Sequence, residues 1–147
     1  MRFVAFLLIL VGTLLSARSV ADELRRATLY KDPSCGCCAE YAEYLRRNGF
    51  EVTVVDTADL SSVKQFHGVP APLEGCHTTV VGGYVVEGHV PVAAVNRLLA
   101  EKPPILGISL PGMPEGSPGM GGRKKAPFTI FAITEGGGPA PTVYATE

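Results

Sequence analysis

Between residues 27 and 102 the spacing of apolar residues switches repeatedly between two periods, and the order of switching restricts the fold more than any other feature. Ala27-Thr28-Leu29-Tyr30 reads as a short strand, stopped by Asp32-Pro33. Cys38, Tyr41, Ala42 and Leu45 then fall at i, i+3, i+4 and i+7, one face of a helix. Glu40, Glu43, Arg46 and Arg47 occupy the other face. Acids early and bases late suit the helix dipole, and Gly49 suits the position just past the end. Phe50–Val55 alternates apolar and polar residues as a second strand. Leu60, Val63, Phe66 and His67 predict a short second helix, with Gly68 after it. Val69-Pro70-Ala71-Pro72 must be extended or turned, because proline restricts itself and its predecessor. Cys76–Val81 and Tyr84–Glu87 read as strands joined at Gly82-Gly83, a two-residue hairpin signal. Pro91 suits the first turn of a third helix carrying Val92, Val95, Leu98 and Leu99, which Pro103-Pro104 ends. The order βαβαββα predicts an α/β, thioredoxin-like domain, a central sheet with flanking helices. Residues 105–122 are rich in glycine and proline and predict a long irregular loop, a kind of segment that is functional or disordered in compact domains. Phe128–Thr134 and Thr142–Ala145, around Glu135-Gly136-Gly137-Gly138-Pro139, predict a C-terminal β-hairpin within residues 127–145.

The first residues stand outside this pattern. Arg2 precedes an apolar run from Phe3 to Leu15, and Ser19 and Ala21 fit a small-residue cleavage site. The run is shorter than the roughly 20 residues that span a bilayer. Residues 1–21 are therefore expected to be a signal peptide, cut before Asp22. Residues 22–147 are expected to be a single periplasmic domain with no membrane segment. Removing Arg2 and Arg18 from the 13 basic residues leaves 11 against 14 acidic, a net charge of −3. That balance offers nothing to nucleic acid. An exported chain meets an oxidising compartment, where cysteines tend to pair.

Three of the four cysteines, Cys35, Cys37 and Cys38, sit in four consecutive positions where a strand gives way to a helix. Unpaired N–H groups and the dipole at a helix start favour thiolate over thiol. This helps redox chemistry and metal binding alike. In a thioredoxin-like fold the start of the third strand faces that loop, which would bring Cys76 and His77 to it. Structural disulfides, Cys35–Cys38 and Cys37–Cys76, are one reading, although a bridge over two residues stabilises little. Thiol–disulfide exchange by Cys35 and Cys38 is a second, in which Cys37 is superfluous. That reading also lacks a proline directly before the third strand, since Pro70 and Pro72 lie several residues upstream. Metal binding is the third. Adjacent side chains at Cys37 and Cys38 are expected to diverge, which suits bridging several ions better than one tetrahedral centre. Soft thiolates in an exported protein favour copper.

Met113 and Met120 lie in the glycine/proline loop and are soft, non-oxidisable-to-disulfide donors, or simply packing residues. His77, beside Cys76, is a candidate ligand, and His89 a weaker one. His67 is placed as a helix C-terminal cap.

Taken together, these stretches resemble the CopG-like family of exported bacterial proteins associated with copper resistance, also described as a domain of unknown function with a predicted metal-binding role. The matching pieces are Tyr30-Lys31 with Cys35-Gly36-Cys37-Cys38, Gly68-Val69-Pro70 with Leu73, Cys76-His77-Thr78, Gly83-Tyr84, Glu87-Gly88-His89-Val90-Pro91, Arg97-Leu98-Leu99, and Pro111-Gly112-Met113-Pro114 with Gly116-Ser117-Pro118-Gly119-Met120. The resemblance implies a thioredoxin-like fold and a copper site with Cys35, Cys37, Cys38 and Cys76 as ligands. His77, His89, Met113 and Met120 match motif positions. Tyr41 stands where many relatives carry tryptophan, and Gly121-Gly122 where relatives often have an acidic residue. The expected function is to sequester, transfer or redox-handle copper, held as Cu(I) in a polynuclear site, without enzymatic turnover. Other periplasmic copper-handling proteins would be its partners. The alternative is a periplasmic thiol–disulfide oxidoreductase using Cys35 and Cys38.

Overall fold

The computed structural model describes residues 23–136 and 140–147. The expected signal peptide and its cleavage site, and Gly137-Gly138-Pro139 of the last turn, lie outside the described residues. Among the described residues seven strands form one sheet in the order β2-β1-β3-β4-β5-β6-β7. They are β1 (Arg26–Lys31), β2 (Glu51–Asp56), β3 (His77–Val81), β4 (Tyr84–Glu87), β5 (Gly107–Ser109), β6 (Thr129–Ile133) and β7 (Thr142–Thr146). Among the described residues three helices, α1 (Gly36–Arg47), α2 (Leu60–Phe66) and α3 (Val92–Glu101), give a mixed α/β architecture. β1 and β2 run parallel, β3 is antiparallel to both β1 and β4, and β4 and β5 are parallel.

Both faces of the sheet are covered. Tyr41, Ala42 and Leu45 of α1 and Val95 and Leu98 of α3 pack with Leu29, Val86, Ile108 and Ile130 in the larger core. Val69, Leu73, Val85 and Ile133 form a smaller one. Val85 and Val86 are neighbours on one strand, so they point to opposite faces and the two cores lie on opposite sides. Each fully buried leucine contributes roughly 1.5–3 kcal/mol. Gly82 and Gly83, with φ of 56° and 83°, make the two-residue turn between β3 and β4. Positive φ at both central positions matches the right-handed twist of the strands.

Four local expectations change. The first turn of α1 holds no acidic residue, although Arg46 and Arg47 do close its last turn. Pro91 is the N-cap of α3 rather than a residue of its first turn. In α2 it is Lys64 that is buried, at 5% exposure, while Phe66 is 85% exposed. A helix of seven residues offers too few positions for its apolar spacing to define a face. Finally, the stretch 105–122 is not irregular throughout. Gly107–Ser109 pairs with Val85–Glu87 as β5, and a Cβ at Gly107 would lie 1.9 Å from the Val85 carbonyl oxygen. The close approach needs glycine, the residue that disguises the strand in the sequence. β6 and β7 pair antiparallel with a register shift between Ile130 and Phe131.

Candidate metal centre

The end of β1 and the start of β3 lie side by side, with Lys31 opposite His77. The chain leaves β1 through a tightly held loop. Asp32 Oδ1 accepts from the Ser34 N–H at 2.8 Å and from Ser34 Oγ at 2.5 Å. These bonds hold the Asp32 carboxyl below its ordinary range. Lys31, 6% exposed, pairs with Asp56 at 2.9 Å and donates to the Asp32 and Pro33 carbonyls at 3.0 and 3.3 Å. Cys35 is then the N-cap of α1, and Cys37 and Cys38 occupy its first turn.

The four sulfurs converge. Cys76 Sγ lies 3.8 Å from Cys35, 3.7 Å from Cys37 and 3.2 Å from Cys38, and Cys35 lies 3.4 Å from Cys37. All four Sγ atoms fall within 4.8 Å of one another. Cys35 and Cys38 are joined in a disulfide, whereas Cys37 and Cys76 are free thiols. Although adjacent, Cys37 and Cys38 keep their sulfurs within 4.8 Å of each other, both facing Cys76, which precedes β3. Sulfurs bound to one tetrahedral ion at about 2.3 Å stand about 3.8 Å apart, so divergence does not exclude a single-ion centre. Burial above all, and then contact with Cys37, pushes the Cys76 thiol up to about 12. A bound cation reverses that preference, since a metal displaces the thiol proton.

Two imidazoles complete the site. Cys76 Sγ, His77 and His89 form a second convergent group within 4.8 Å. His89 Nδ1 donates to the Pro118 carbonyl at 2.6 Å, so its Nε2, 3.1 Å from Cys76 Sγ, presents a lone pair. A carbonyl fixing the far nitrogen is how metal-binding histidines are commonly oriented. His77 Nδ1 lies 3.7 Å from the same sulfur, and its buried Nε2 has no hydrogen-bond partner among the described residues. Burial holds both histidines below 6.5, the neutral form that binds metals; His89 further lowers His77. Tyr41 packs 4.6 Å from the His77 ring and 5.4 Å from the His89 ring, its hydroxyl donating to the Val90 carbonyl at 2.8 Å. Burial raises its pKa, so it stays a phenol.

The loop after β5 lies over this site. Gly119 rests on α1, where a Cβ would meet Tyr41 N at 2.7 Å and Cys37 O at 2.9 Å. Met120 follows it, half-buried, while Met113 is 59% exposed. The cysteines and histidines are thus brought together, and Met113 points to solvent. His67 caps α2 and belongs to neither convergent group, its ring 5.0 Å from Phe66 and 6.1 Å from Tyr30. The sequence reading missed Lys64 and Glu87, a buried ion pair behind Cys76. Lysine in a short helix carries no visible signal. Glu87, ending a strand otherwise apolar at Val85-Val86, carries a faint one.

The family described as protein of unknown function DUF411 matches residues 73–120, a stretch containing Cys76, both site histidines and both loop methionines. No curated protein matches. Two solved structures are similar: copper resistance protein copG, Form 1, at 39% identity and TM-score 0.76, covers 85% of this chain and 98% of its own. Form 2 of the same protein, at 39% identity and TM-score 0.75, covers 83% and 97%. Among the described residues no helix is long and apolar enough to cross a membrane.

Proposed function

The chain belongs to the family of the copper resistance protein copG, and from that membership we propose that it is an exported, periplasmic copper-binding protein that sequesters, transfers or redox-handles copper. One observation carries the reading: four sulfurs within 4.8 Å of one another, flanked by two buried imidazoles, of which His89 is oriented by the Pro118 carbonyl. Crowded thiolates are soft donors that bridge Cu(I), so more than one ion per chain is the natural stoichiometry. Binding through all four sulfurs requires an external dithiol to reduce the Cys35–Cys38 bond first, the dithiol giving up two electrons and becoming a disulfide as two thiolates are released. The strand order β2-β1-β3-β4 with α1 opening at the cysteines supports a thioredoxin-like frame. Copper tolerance would follow from holding the ion and passing it to other periplasmic copper-handling proteins. No enzymatic turnover is needed.

The test is a count. Reduced protein lacking residues 1–21 is loaded with Cu(I) without oxygen, and metal per chain is measured. More than one retained ion per chain, lost in Cys37→Ser, is the expected result. No retained copper would sink the reading.

The disulfide favours one alternative, a thiol–disulfide oxidoreductase working through Cys35 and Cys38. Such an enzyme tolerates Cys37→Ser and loses exchange activity in Cys35→Ser. A copper site loses metal in both.

A further inference from the structure

We propose that the buried pair Lys64–Glu87 is a positioning device that holds Cys76 against the other three cysteines. The proposal rests on the reading of Cys76 as a copper ligand. Cys76 comes immediately before β3, in a segment without a continuous ladder of its own. Its position is set by the Gly75 peptide, and both polar groups of Gly75 are held by the pair. Glu87 Oε1 accepts from the Gly75 N–H at 2.8 Å, and Lys64 Nζ donates to the Gly75 carbonyl at 3.1 Å. The remaining capacity is used within the same network. Lys64 pairs with Glu87 Oε1 and reaches Thr78 Oγ1 at 3.4 Å, and Thr78 Oγ1 donates to Glu87 Oε2 at 2.7 Å.

Contacts from the far side close the clamp. A Cβ at Gly75 would lie 2.6 Å from Gly88 Cα, and Gly75 forms an isolated parallel bridge with Gly112. Cys76 Sγ touches all three other cysteines and His89. A shift of the Gly75 peptide therefore changes every one of those distances together.

Stability alone does not explain the pair. Lys64 and Glu87 side chains are 6% and 0% exposed, and a buried ion pair is often no better for stability than apolar residues of similar volume. Apolar replacements would fill the space and leave the Gly75 N–H and carbonyl unpaired.

The experiment separates position from stability with two double variants. Lys64→Met/Glu87→Leu removes every hydrogen bond to Gly75. Lys64→Met/Glu87→Gln keeps an amide oxygen for the Gly75 N–H. Each is melted, and each is titrated as the Cu(I) protein with bathocuproine disulfonate. In a Cys37→Ser background with Cys35–Cys38 oxidised, Cys76 is the single free thiol, and its alkylation by iodoacetamide is timed. The Met/Leu protein is expected to melt below the wild type, because the Gly75 N–H and carbonyl lose their partners, and, at temperatures well under its melting point, to lose copper to the chelator about 10-fold more readily and to alkylate faster. The Met/Gln protein is expected to recover most of both losses. A Met/Leu protein with wild-type copper retention and alkylation overturns the proposal, as does a Met/Gln protein no better than Met/Leu. Should Met/Leu not fold, Thr78→Val serves, which takes one hydrogen bond from Glu87 and one from Lys64. Faster Cys76 alkylation there supports the clamp, and an unchanged rate overturns it. Failure of the wild type to hold copper would strike the copper reading alone, because the alkylation comparison needs no metal.

Discussion

Cys76 shows how a single residue can decide a site: it is 38 residues from Cys38 in the chain and 3.2 Å from it in space. Cys76→Ser should lower copper per chain as severely as Cys35→Ser, measured on reduced, anaerobic protein. Behind it, Glu87→Ala alone would leave the Lys64 ammonium buried without its partner. We expect a loss of about 3–5 kcal/mol, read by urea unfolding, larger than that of the double apolar variant, which strands no buried charge. The histidines set a pH dependence. Both have folded pKa values below the ordinary 6.5, so the unfolded chain binds protons more readily than the fold. The metal-free protein therefore keeps this share of its stability above pH 6.5 and loses it as pH falls toward the folded values. His77→Gln should flatten the fall in melting temperature between pH 7.5 and 5.5. At this scale the cysteines and the Cys76-His77 pair were legible, because thiol spacing and strand position suffice to bring them together. His89 was harder to weigh, since its orientation comes from the carbonyl of Pro118, 29 residues on. The pairing of Lys64 with Glu87 was not legible, because opposite charges reveal a pairing only once a fold removes them from water.

Helices and strands were legible where periods were long, and less so where glycine replaces side chains. α1 and α3 stand out through their apolar stripes, and the β3–β4 turn through Gly82-Gly83. β5 has three residues and begins with the glycine that its close approach to β4 demands. The loop between β5 and β6 is the element most tied to the site, through Pro118 on His89 and Gly119 on α1. Gly119 has φ +81°, and an added methyl would meet α1 backbone. Gly119→Ala should therefore lift the loop, destabilise by about 1–3 kcal/mol and speed alkylation of Cys37 and Cys76, with the melting curve and labelling rate as readouts. The loop's methionines are expected to matter less. With Met113 facing solvent, Met113→Leu/Met120→Leu should leave copper affinity unchanged in a chelator titration.

Across the whole molecule, the order of strands and helices other than β5 was readable because each switch of period is local, whereas the sheet order that joins β1 to β3 is not. That junction joins the cysteine loop to Cys76, across 41 residues of chain from Cys35. A ligand that binds only the folded form adds stability by mass action, about 2.7 kcal/mol at 100 times its Kd. Cu(I) should thus raise the melting temperature of the reduced protein, and calorimetry with and without metal would register it. The junction also sets a clock. Before β1 and β3 pair, the chain offers an ion three neighbouring sulfurs on a flexible stretch; afterwards it offers four in a fixed frame. Copper arriving early would meet a different binder from copper arriving late, so the history of loading, and not the sequence alone, would decide what each newly made chain carries.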